Sequence, residues 1–99
     1  MKAVLAFLLM STALRPPVND GFLVQLGAEH SEAEAAHSWI VIKDKAGAVL
    51  DGLMPQISPV TVPHKGKLWR LRAGSVEGAA AASICAKLKA LSIDCIVVH

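Results

Sequence analysis

"HSEAEAAHSWIVIKDKAGAVLDG", residues 30–52, is the stretch on which the fold turns. Ser31 followed by Glu34 forms a capping box, in which a hydroxyl and a carboxylate satisfy backbone N–H groups at a helix start. It predicts a helix beginning at Glu32, and the alanines that follow favour helix to about Ala46. The run "WIVI" pulls the other way. A β-branched run, a turn-like "DKAG" and a second apolar run also describe a hairpin. Residue patterns alone leave both readings open.

The flanking segments are clearer. "FLVQLGA", residues 22–28, alternates as a strand: Phe22, Val24 and Leu26 form one face, and Leu23, Gln25 and Gly27 the other. The first face is the more apolar and belongs on the core. An amide such as that of Gln25 is costly to bury without partners. On the far side, "QISPVTV" and "LWRLRA" read as two strands around the turn "PHKGK". Pro59 confines the first of these to a sheet edge, because it has no N–H to donate. Leu68, Arg70 and Arg72 share one face of the second; Trp69, Leu71 and Ala73 share the apolar face. "SVEGAAAASICAKLKAL" is a helix with a stripe of Ala81, Ile84, Cys85, Leu88 and Leu91. Lys87 and Lys89 lie near its C-terminus, where positive charge is favoured. "SIDCIVVH" closes the chain as a strand, with Cys95 and Val97 on one face and Ile96 and Val98 on the other. With the helix reading of residues 32–46, the order is β-α-β-β-α-β. That is an α+β, ferredoxin-like arrangement, a four-stranded antiparallel sheet with two helices on one face. Gln25, Arg70 and Arg72 fall on the face left open.

The chain has 99 residues and a hydrophobic fraction of 54%, enough for one small core. A net charge of +2 is too weak to imply nucleic acid, and 4% aromatic content with no Tyr argues against base stacking. At the N-terminus, Lys2 and the apolar run "AVLAFLLMSTAL" have the layout of a secretory signal over residues 1–13, with cleavage after Ala13. The alternative is a core strand or helix. The run is shorter than the ~20 residues of an ordinary membrane span. "RPPVND" then reads as an extended linker, giving segments 1–13, 14–20 and a domain over 21–99. In an exported chain Cys85 and Cys95 are placed to pair as a structural disulfide between the last helix and the last strand. His30, His37, His64 and His99 lie on separate elements without ligand spacing and read as surface residues. The expectation is a protein that is not an enzyme, with no metal and no cofactor.

"FLVQLGAEHSEAEAAHSW" followed by "LWRLRAGSVEGAAAASICAKLKALSIDCIVV" resembles a SPOR domain, the sporulation-related repeat of bacterial cell-wall proteins. The marks are a V-Q-L-G-A strand before an S-E-A helix, an aromatic-R-x-R-x-G strand, and an Ala-rich helix whose cysteine has a partner in the final strand. The resemblance implies a helix through Trp39 and Ile42. It also implies a periplasmic, non-catalytic module for peptidoglycan, preferring denuded glycan strands at the division septum and binding them on the open sheet face. Carried over by position, Gln25, Arg70 and Ile96 line the groove; Arg72, on the same open face by alternation, and Leu68, at a position where the family can carry Trp, are counted with them as glycan-binding. Many members have Ser at the position of Ala28, and some have Trp at that of Leu68. Cell-division or wall-remodelling proteins are further implied partners.

The ligand has a physical reason to want these residues. A denuded strand exposes the lactyl carboxylates that stem peptides mask as amides. Arginine pairs with carboxylates through two-pronged, charge-assisted bonds. The Gln25 amide both donates and accepts, which suits sugar hydroxyls and acetamido groups. Two other classes share the topology. One is an adaptor that docks a wall enzyme; the other is a nucleic-acid reader, which would need open-face aromatics.

Overall fold

The computed structural model describes residues 21–99. The expected secretory signal and linker lie outside these described residues. The elements are β1 (Phe22–Glu29), α1 (Glu32–Ala46), a 3-10 turn (Gly47–Leu50), β2 (Met54–Val62), β3 (Gly66–Val76), α2 (Gly78–Ala90) and β4 (Ile96–Val98). They form one four-stranded antiparallel sheet in the order β2-β3-β1-β4, the ferredoxin-like order expected from β-α-β-β-α-β.

The stretch at residues 30–52 resolves as helix. Both halves of the capping box are made: the Glu34 N–H donates to Ser31 Oγ at 3.1 Å, and the His30 N–H donates to Glu34 Oε1 at 3.2 Å. Packing then splits the "WIVI" run. Trp39 and Ile42 turn inward beside the buried Ala35 and Ala46, while Ile40 and Val41 stay exposed. Inward positions at intervals of three and four residues are a helical stripe. A strand would have put Trp39 and Val41 on one face. Tertiary burial on a 3.6-residue period therefore overrides the β-branched preference of the run.

The core sits between the helices and one sheet face. Val24 and Leu26 of β1, Leu71 and Ala73 of β3, Leu50 of the 3-10 turn, and Ala81, Cys85 and Leu88 of α2 are buried together. Cys85 and Cys95 form the expected disulfide, with Cα atoms 5.2 Å apart. Closing so short a loop is worth about 2–3 kcal/mol on the loop-entropy account.

Four sequence expectations are corrected. First, α2 begins at Gly78, because Ser75 and Val76 extend β3 and Glu77 precedes the helix. Second, α2 ends at Ala90, which leaves Leu91 exposed and outside the buried stripe. Ser92 takes a left-handed conformation (φ 62°), and its N–H donates to the Lys89 carbonyl while that of Ile93 donates to the Leu88 carbonyl. This paired closure reverses the chain and buries Ile93. Third, the closing strand is consequently only Ile96–Val98, not the whole of residues 92–99.

The fourth correction bears on the candidate site. β1 is bulged between Gln25 and Gly27: Gln25 pairs with Arg72, but Gly27 pairs with Leu71, leaving Leu26 as the extra residue. An extra residue resets alternation downstream. Gly27 therefore leaves the face it was expected to share with Gln25, and Ala28 takes its place, opposite Arg70. Glu29 turns toward the helices, where the Ser38 hydroxyl donates to its Oε2 at 3.0 Å.

Candidate functional site

The open face is ordered in rows that cross the strands. One row reads Gln56, Arg72, Gln25 and Ile96, one residue from each of the four strands. With strands about 4.8 Å apart it spans roughly 14 Å. The next row holds Ser58, Arg70 and Ala28, and the one beyond it Val60 and Leu68. On the other side of the central row lie Met54, Gly74, Leu23 and Val98. Strand pairing thus brings Gln25, Arg72 and Ile96 together and puts Arg70 in the adjoining row. Leu68 shares the open face but stands two rows from Ile96.

The central pair is directly bonded. Arg72 Nε–H donates to Gln25 Oε1 at 2.8 Å, between side chains that are each half-buried. A guanidinium nitrogen can only donate, so the Gln25 oxygen must be the atom that faces it. What the pair turns outward is therefore chiefly N–H: the Gln25 amide hydrogens and the remaining guanidinium hydrogens. This narrows the sequence expectation, in which Gln25 donates and accepts with equal freedom. Such a surface suits carbonyl and carboxylate oxygens. Ile96 is 55% exposed and Met54 69% exposed, so apolar ledges flank the polar centre.

Gly74, the glycine of the aromatic-R-x-R-x-G motif, has a structural reason. It lies opposite Leu23 with φ 151°, and a Cβ there would come within 2.8 Å of Leu23 Cδ2 and 2.9 Å of the Phe22 carbonyl oxygen. Only glycine allows β1 and β3 to approach this closely. Trp69 follows its alternation onto the helix side, where it is half-buried with the Lys67 ammonium 4.9 Å from its ring centroid. All four histidines are exposed. Gln56 and Ser58 were missed by the sequence reading. Their signal is the alternation of "QISPVTV", which aligns them with the two arginines once β2 is paired to β3. Among the described residues no group of three or more His, Cys, Asp or Glu is placed to hold a metal ion. Nor is any helix among them long and apolar enough to cross a membrane.

The SPOR domain family model matches residues 18–99. The chain belongs to the SPOR family. A comparison with curated protein sequences gives no match. Among solved structures, this SPOR domain is similar to the solution structure of the peptidoglycan binding domain of the Bacillus subtilis cell wall lytic enzyme CwlC. The two are 23% identical, with a TM-score of 0.52, over 86% of this chain and 96% of the other. At that identity the likeness establishes a shared fold.

Proposed function

We propose that this SPOR domain binds peptidoglycan on its open sheet face, without catalysis, and prefers denuded glycan strands such as accumulate at the division septum. The observation that carries the reading is the row Gln56, Arg72, Gln25 and Ile96, with Arg72 bonded to Gln25 and Arg70 in the next row. Removing a stem peptide converts an amide into a lactyl carboxylate. That anion is the group to which fixed guanidinium and amide donors are complementary. The exposed Ile96 gives the apolar side of a sugar ring a surface to rest on. Family membership and the shared fold with the peptidoglycan binding domain of CwlC support the same ligand class.

The open-face strand positions are occupied by amides, guanidinium groups, a hydroxyl and aliphatic side chains. Those groups suit binding rather than general acid–base chemistry. The periplasm is the proposed location, supported by the signal-like residues 1–13 and the Cys85–Cys95 disulfide, with residues 14–20 as a linker and the domain at 21–99.

The test is retention on purified sacculi. The wild-type chain is expected to bind amidase-treated sacculi more strongly than intact ones, and an R70A/R72A variant to lose that preference. Equal retention of wild type and variant on the treated wall would refute the assignment of the arginines. Retention on neither wall would favour the adaptor.

A further inference from the structure

The sheet has two outer strands, and they are guarded differently. β4 offers only three residues to another strand. β2 offers nine, and none of "MPQISPVTV" is charged. A long, uncharged edge strand rich in Ile, Val and Thr is the kind that pairs with the same strand of another molecule. Its free edge is a row of backbone groups with no neighbour in the sheet β2-β3-β1-β4.

The turn after β2 shows which residues own that free edge. The Val62 carbonyl accepts from the Lys65 N–H at 3.0 Å, so Val62 is turned toward β3. The N–H and C=O of one strand residue point to the same side, and the side alternates along an antiparallel strand. The register from Met54 opposite Gly74 to Val62 opposite Gly66 is unbroken. Met54, Gln56, Ser58 and Val60 therefore turn their backbone groups to β3, while Pro55, Ile57, Pro59 and Thr61 turn theirs outward. Both prolines fall in the outward set. There they take no bond from the β2–β3 ladder, whereas an inward proline would delete one. Of the four outward residues only Ile57 and Thr61 keep an N–H, roughly 13 Å apart. A strand laid alongside β2 looks for a donor at every second residue and finds half of them missing.

We infer that Pro55 and Pro59 close the β2 edge to a second copy of this chain and so keep the domain a single unit. Without them, two β2 strands would pair antiparallel about a twofold axis and merge two open faces into one eight-stranded surface. With them, the row that carries Gln25 and Arg72 ends at Gln56. The inference holds whatever ligand the open face takes.

Sedimentation velocity and amide hydrogen exchange on the full chain test it together. The wild type is expected to sediment as a monomer, with the Ile57 and Thr61 amides exchanging freely. Pro55→Thr/Pro59→Thr is expected to dimerise as concentration rises and to slow exchange at both amides about tenfold or more, as on entry into a ladder. A double variant that stays monomeric, with those amides as in the wild type, overturns the inference. So does a dimer that leaves them unprotected, because another surface is then in contact. A wild type already dimeric through protected Ile57 and Thr61 overturns it as well. The direction of the backbone groups has its own check. Thr61→Pro is expected to keep the thermal midpoint within a few degrees, and Val60→Pro to lower it steeply; equal damage from both overturns the assignment of the outward set. Should the double variant fail to fold, Pro59→Thr alone, at an exposed residue, decides by the same two readouts.

Discussion

The two faces of β3 are built from alternate residues of one short segment, and they obey different rules. Leu71 and Ala73 point to the helices and are 1% and 0% exposed. Arg70 and Arg72 point the other way and remain half-exposed. The helix side is specified by volume and apolarity, so any loss there is felt as stability. The open side is specified by the direction of N–H groups, so on the proposed function its loss is expected to be felt as binding. Because both faces hang on one backbone, the pairing that packs Leu71 against the core also sets Arg70 and Arg72 beside Ser58, Ala28, Gln56 and Gln25.

The largest effect should come from breaking the buried face. Leu71→Ala leaves a cavity in a fully packed site and is expected to cost about 2–5 kcal/mol of unfolding free energy. Denaturant unfolding measures it, and in a domain this small that loss is a large share of total stability. Glycan affinity in the fraction that stays folded should be nearly unchanged. The R70A/R72A variant is the converse case, with binding lost and the unfolding midpoint nearly kept. If it unfolded as readily as Leu71→Ala, the division of labour between the faces would be wrong.

A smaller effect sharpens the comparison on the open side. Ala28 is exposed and lies opposite Arg70 because the bulge turned it there. Ala28→Ser adds a hydroxyl within the proposed groove and is expected to tighten denuded-glycan binding a few-fold, about the worth of one ordinary hydrogen bond. Stability should stay within about 0.5 kcal/mol, as for most surface changes. Calorimetry and thermal unfolding of the same sample read both quantities.

Much of this was legible in the residues. Ser31 and Glu34 announced the start of α1, Pro59 announced an edge strand, and the alternation of "LWRLRA" separated Leu71 from Arg72 without knowledge of the sheet. The Cys85–Cys95 pair was expected for an exported chain, and an inward helix stripe and an inward strand position were consistent with it. What stayed hidden depends on register between distant segments. The bulge at Leu26 exists only in relation to β3, and no local property of "LVQLGAE" reveals which residue is the extra one. Alternation carried through that point therefore put Gly27 in the place of Ala28. The Gln25–Arg72 bond was hidden for the same reason, since it joins residues 47 positions apart. The short β4 was obscured because "SIDCIVVH" has strand-like composition throughout. Its first residues are instead used to close α2 through Ser92 and Ile93.

The central claim is that the uncovered face, and not the helix-covered one, meets the glycan. Titrating isotopically labelled protein with denuded glycan while following its amide resonances tests this most directly. The account predicts shifts concentrated at Gln25, Ala28, Gln56, Arg70, Arg72 and Ile96, with the exposed residues of α1 unmoved. Shifts clustered on Ile40 and Val41 of α1, with the arginine rows silent, would contradict it.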